Sequence, residues 1–134
     1  MKNNRNVKSK RRGALTVEVA ICLPILFLTM FSLYELSRAN MIRHAIESAA
    51  YEGARVGILP GTTEERIFDS AAFILGSVGV SDFEITVTPE DFGPTTENVR
   101  VDIAVPFRGN TSIPAYVVGD PTFRATCELS REAL

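Results

Sequence analysis

From Ala14 to Tyr34 the chain runs 21 residues with a single charge, Glu18. As a helix this stretch is about 31 Å long, against a hydrocarbon core of about 30 Å. A helix apolar on every side has nowhere to be buried in a domain of the size that 134 residues allow. The segment is therefore expected to cross a membrane. Pro24 sits mid-segment and takes one N–H out of the helical ladder, so a kink is expected there. Membrane helices tolerate such a break better than soluble ones.

Charge is distributed unevenly about this segment. Lys2, Arg5, Lys8, Lys10, Arg11 and Arg12 precede Gly13 with no acid among them. Removing these six from 14 Lys and Arg leaves 8 basic against 16 acidic residues, a net of −8. A body so acidic repels phosphate, which argues against nucleic acid as a partner. The basic leader instead favours an N-terminus held in the cytoplasm and a C-terminal region beyond the membrane. Residues 1–13 are thus expected to be a cytoplasmic leader, 14–36 a transmembrane helix, and 37–134 an extracytoplasmic domain. The lipid bilayer is the first partner implied.

Several processing signals compete at this end. Arg11-Arg12 is followed by Gly-Ala-Leu, which is not the run a twin-arginine signal needs. Val19-Ala20-Ile21-Cys22 has a bulky Ile21 before the cysteine and most of its apolar run after it, unlike a lipoprotein signal. Ser37-Arg38-Ala39 places small residues at −3 and −1 behind an apolar run, as a secretory signal peptide does, and would release a domain starting at Asn40. The basic leader ending in Gly13, with Glu18 five residues on, resembles the class III signal peptides cut by prepilin peptidases. Such a cut would free the amine of Ala14, largely cationic at neutral pH, one helical turn from the Glu18 carboxylate. The simpler alternative is a carboxylate reaching the headgroups near the end of a plain anchor.

Helical periodicity continues beyond the apolar run. Leu36, Ala39, Ile42, Ile46, Ala49, Gly53 and Val56 recur at spacings of three and four, with Arg38, Arg43, Glu47, Ser48, Glu52 and Arg55 mostly away from that stripe. Ala49, Ala50, Gly53, Ala54 and Gly57 suit close approach by a packed neighbour. A helical glycine costs about 1 kcal/mol relative to alanine, which assigns Gly53 a packing role. One long kinked helix over 14–57 is expected, ended by Ile58-Leu59-Pro60-Gly61. Thr62-Thr63-Glu64-Glu65 reads as a capping box, opening a second helix through Ile67, Phe68, Ala71, Ala72 and Leu75 to about Gly76. The period then becomes two: Phe83, Ile85 and Val87; Val99 to Phe107; Phe123 to Leu129. Pro89 to Asn98, with Gly93-Pro94, reads as a long hairpin loop, and Arg108 to Thr122, with Pro114 and Pro121, as a surface excursion. The fold class is α+β: a long helix, a short helix, and an antiparallel sheet of about three strands laid on the helical stripe.

Nothing in the chain assembles a catalytic set. His44 and Glu47 are three apart, but a single histidine cannot complete a metal site, and Cys22 and Cys127 fall in different parts of the chain. No nucleophile–base pair or phosphate loop occurs, so neither an enzyme nor a cofactor is expected.

Three stretches resemble the TadE-like family, pilin-like membrane proteins of the bacterial tight-adherence (Flp-type) pilus assembly system. Arg12 to Ala20 with Leu23-Pro24 is similar to the family's start, Ala49 to Arg55 to its small-residue helix ending Gly-Ala-Arg, and Phe123 to Arg131-Glu132 to its terminal Arg-Glu. The resemblance implies a pilin-like, non-enzymatic pseudopilin of the inner membrane, cut after Gly13 by a prepilin peptidase and partnered by other pilin-like and pilus-assembly membrane proteins. Within it, Gly13, Ala14 and Glu18 serve processing, Pro24 the kink, and Ala49, Gly53, Ala54 and Arg55 helix packing. The other two readings are a plain anchor displaying a binding domain and a secreted domain cut after Ala39. For the topology, protease added outside the inner membrane is expected to degrade residues beyond about 36 and spare the leader; protection of the domain would contradict it.

Overall fold

The computed structural model describes residues 5–89, 98–111 and 121–131, with side chains from residue 13 onward. The chain divides into two compact units, Met1–Leu36 and Ser37–Leu134. Its elements are helix α1 (Arg5–Gly57), helix α2 (Glu64–Ser77), and strands β1 (Glu84–Thr88), β2 (Asn98–Pro106) and β3 (Thr122–Ser130). The strands form one antiparallel sheet in the order β1-β2-β3, so the α+β class holds. The expected loop across 90–97, most of the excursion (112–120, with Pro114), residues 1–4 and Glu132 lie outside the described residues.

Within the second unit, the buried residues are the inward halves of alternating or helical patterns. Strand β2 is the centre: Val99, Val101, Ile103 and Val105 are all essentially fully buried. Beneath them lie Ile42, Ile46, Ala49 and Ala54 of α1, and Ile67, Ala71 and Leu75 of α2. The buried face of α1 differs from the expected stripe at its start, where Leu36 is exposed. The reason is geometric. Two successive steps of three, from 36 to 39 to 42, rotate about 120° around a helix with 3.6 residues per turn. Farther along, Ala50 and Gly57 are buried, as expected from their small size, and Ala45 joins the face as well.

Helix boundaries also depart from expectation. α1 begins at Arg5, nine residues before Ala14, because Gly13 sits in a run of good helix formers and does not break it. At its other end, the Thr62 hydroxyl donates to the carbonyl oxygen of Val56 (2.8 Å), and Arg131 reaches back from the end of β3. Its Nε donates to Ile58 O (2.9 Å), and its Nη2 to Leu59 O (3.2 Å). A cation on carbonyls just past the last turn suits the negative end of a helix. The expected capping box is absent: the N-cap of α2 is Thr63, whose side chain makes no capping bond, and Thr62 serves α1 instead. α2 ends at Ser77, within one residue of the expected Gly76. The stop is Gly79 (φ 75°), with Gly79 N–H on Gly76 O and Val80 N–H on Leu75 O, a Schellman closure that tucks Val80 into the core.

Asn110, buried at 3 % exposure, ties the chain after β2 to the chain before β1. Its Oδ1 accepts from the Ser81 N–H, and its Nδ2 donates to Asp82 O and Pro106 O, each at 3.1 Å. Its own carbonyl accepts from Arg38 Nε of α1 at 2.7 Å. Every polar group of this buried side chain is thus satisfied, which is what makes its burial affordable.

Of the two glycines expected to allow close approach, Gly57 is the more tightly packed. A Cβ added at Gly53 would sit 3.4 Å from Ile67 and 3.5 Å from Val101, ordinary contact, whereas one at Gly57 would sit 2.5 Å from Val99 Cγ1. Gly57→Ala is therefore expected to destabilise the second unit by about 1–3 kcal/mol through overpacking. Gly53→Ala is expected to be neutral or to stabilise by up to about 1 kcal/mol through helix propensity. Thermal unfolding of the two variants beside the parent checks this; equal losses at both positions would contradict the packing described.

Candidate functional site

The first unit carries the segment in which sequence reasoning placed processing. Gly13, Ala14 and Glu18 are all exposed on α1, and a Cβ built at Gly13 meets nothing within 4 Å. Ala14 and Glu18 are four residues apart on a helix and so are neighbours on one face. Pro24 lies inside the helix; lacking an N–H, it leaves the Ala20 carbonyl without its usual i+4 donor.

From Gly13 onward α1 is long and apolar enough to cross a membrane, and none of its most apolar stretch is buried. Leu15, Val17, Ile21, Ile25, Leu28 and Leu33 are each about three-fifths exposed or more. An uncovered apolar surface of this extent is costly in water and favourable in lipid. Its hydroxyls are suited to the same medium. Thr29 Oγ1 donates to Ile25 O and Ser32 Oγ to Leu28 O, each at 2.8 Å, so both hydroxyl protons are used within the helix.

A further pattern along this segment was legible in the sequence but not anticipated. Glu18, Cys22, Ile25, Thr29 and Ser32 follow steps of four, three, four and three, which confines them to one face within about 80°. All five are exposed. Cys22 and Thr29 border a shallow apolar groove with Val19, Leu23, Ile25 and Leu26. Small and hydroxylated side chains on one face are the composition through which membrane helices associate.

In the second unit, Ala49, Gly53 and Ala54 are buried, and Gly53 faces Ile67, Ala71 and Val101. Arg55 is not part of that packing: it is exposed, with Nη1 3.3 Å from Glu52 Oε2. Arg43 Nε lies 3.6 Å from Glu47 Oε1, an exposed ion pair, and His44 Nδ1 lies 3.6 Å from Glu47 Oε2. Both cysteines are free, and burial pushes the Cys127 thiol up from its ordinary value. On the outer face of the sheet, the Thr126 hydroxyl bonded to Asp102 holds that carboxyl below its ordinary value. Partial burial opposes the shift, and the adjacent Arg100 adds to it.

Residues 13–55 match the family model of TadE-like proteins. The matched segment starts at Gly13, contains Glu18 and Pro24, and ends at Arg55, so apart from Arg12 it takes in two of the three stretches that carried the resemblance. The third, Phe123 to Glu132, lies beyond the matched residues, as do α2 and the whole sheet. No curated protein and no solved structure matches the chain.

Proposed function

We propose that this chain is a non-enzymatic, single-pass pseudopilin of the bacterial inner membrane. It is cut after Gly13 by a prepilin peptidase and acts in assembling a tight-adherence (Flp-type) pilus or a related secretion machine. The observation that carries the reading is the TadE-like match itself, which begins at Gly13 and includes Glu18. The exposed apolar surface of α1 supports membrane residence. The basic leader supports a cytoplasmic N-terminus and an extracytoplasmic second unit.

In this reading, each residue of the segment has a physical task. Gly13 presents an unbranched residue to the peptidase cleft, and its surroundings on α1 are open. Cleavage makes Ala14 the first residue, and its ammonium group can meet the Glu18 carboxylate of its own chain or of a neighbouring subunit. Within a low-dielectric bilayer such a pair is far stronger than in water. Pro24 bends the helix within the membrane. The face bearing Glu18, Cys22, Thr29 and Ser32 is the side presented to neighbouring pilin-like helices.

Release of a soluble domain after Ala39 is less well supported. Such a cut would remove Arg38, whose Nε holds the carbonyl of the buried Asn110, and would open α1 in the middle of its ladder. The remaining rival is a plain anchor, and Glu18 separates it from the pseudopilin reading. An acid at the centre of a membrane helix costs roughly 2.5–3.5 kcal/mol on insertion scales, and less near an end. In a plain anchor, Glu18→Leu should be neutral or beneficial. In a pseudopilin it should remain inserted yet lose co-purifying partner subunits by about tenfold or more, because the partner amine is left without its counter-charge. Equal recovery of partners by mutant and parent from the same detergent extract would return Glu18 to the role of a tolerated acid in an ordinary anchor.

A further inference from the structure

Strand β3 is an edge. Among the described residues it pairs with β2 alone, in register from Pro106↔Thr122 to Asn98↔Ser130. It is nine residues long and contains neither proline, glycine nor lysine, the usual devices that discourage a neighbour from adding to an edge. The inward row supports the same point. Phe123, Ala125, Cys127 and Leu129 are only half-buried, whereas the inward row of β2 is fully buried. One flank of each inward side chain on β3 therefore still lacks cover.

The outward row identifies what fits there. Thr122, Arg124, Thr126, Glu128 and Ser130 are all exposed, and Arg124 and Glu128, of opposite charge, stand at equal distances on either side of Thr126. Consider a second copy of β3 laid antiparallel against the first on a two-fold axis through Thr126. Arg124 then stands opposite the partner's Glu128, Glu128 opposite the partner's Arg124, and Thr122 opposite the partner's Ser130. On the inner face, Phe123 meets the partner's Leu129 and Ala125 meets the partner's Cys127. Directly opposed residues must point to the same face, so the axis can only shift residue by residue. A shift to Arg124 or Glu128 opposes like charges, and a shift to Ala125 or Cys127 leaves both charges opposite hydroxyls. Thr126 is the one centre along this row that pairs both charges with their opposites. Strand β1 offers no such symmetry, having five residues and a single charge, Glu84, on its outward row.

We infer that β3 is a self-association edge, through which two copies of this chain join into one continuous six-stranded sheet about a two-fold axis at Thr126. The interface is isologous: the same strand serves both sides, so the contact closes on itself. It extends a charge ladder already present within each copy. Glu128 stands opposite Arg100 on β2, and pairing places it between that arginine and the partner's Arg124. This inference goes beyond the pseudopilin reading and does not depend on processing at Gly13.

The test uses the full-length chain, co-expressed in two differently tagged forms and recovered from one detergent extract. Parent should recover parent. R124E with itself, and E128R with itself, should each fall by at least about tenfold, because each places like charges across both ends of the strand pair. R124E mixed with E128R should return to the parental level, since every opposed pair again carries opposite signs. The double variant R124E/E128R should recover itself for the same reason, which also shows that the substitutions leave the fold intact. Single variants that recover themselves as the parent does, or losses that neither the mixture nor the double variant restores, would overturn the proposal. So would a parent that brings down a different chain and no second copy.

Discussion

At Gly57 the backbone of α1 lies so close to β2 that a methyl group there would come within 2.5 Å of Val99 Cγ1. This approach is the contact on which the second unit is organised. A three-stranded sheet has little area to bury, and its centre is one strand of four branched side chains, Val99, Val101, Ile103 and Val105. Such short β-branched residues fill the space between sheet and helix only if the helix presents almost no side chain of its own. Ala49, Ala50, Gly53, Ala54 and Gly57 meet that demand, and Ile42, Ile46, Ile67 and Leu75 fill what remains. The polar fastenings follow from the same placement. Arg38, Asn110, Thr62 and Arg131 secure backbone groups at the margins of this core, where the helical and sheet ladders leave them open.

The first unit obeys the opposite rule. Its apolar side chains have nothing beneath them, and its few polar ones are satisfied along the helix itself or aligned on one face. Water penalises such a surface; lipid does not. Glu18 is the exception, an exposed acid five residues after Gly13 on the same helix. The family match spans both kinds of helix, from the open surface at Gly13 to the small-residue seam at Ala54. A family signature confined to α1 is intelligible if α1 must both sit in a membrane and dock a sheet, while the rest of the chain need only supply a complementary surface.

Much of this was legible because it is periodic. The strands were readable from alternation, and residues expected inward, such as Val101 and Ile103, are buried. The helical stripe was readable in its middle, from Ile42 to Gly53, but not at Leu36, where steps of three accumulate rotation that a spacing rule ignores. Single-residue punctuation was less reliable. Thr62 looked like a cap for the helix after it and instead holds the helix before it. The end of the second helix near Gly76 was readable, but not that Gly79 makes the turn after it. The contacts of Arg131 with the end of α1 and of Arg38 with Asn110 join residues more than seventy positions apart, and no local pattern encodes them. The face shared by Glu18, Cys22, Thr29 and Ser32 was encoded locally but is hidden by the hydrophobicity around it.

The central claim is that Gly13 ends a leader and Ala14 begins the working protein. The mass of the mature chain recovered from the membrane fraction tests it most directly. The account predicts an intact mass and an N-terminal peptide that start at Ala14. A chain that keeps Met1 and the basic leader, or one that begins at Asn40, would contradict it.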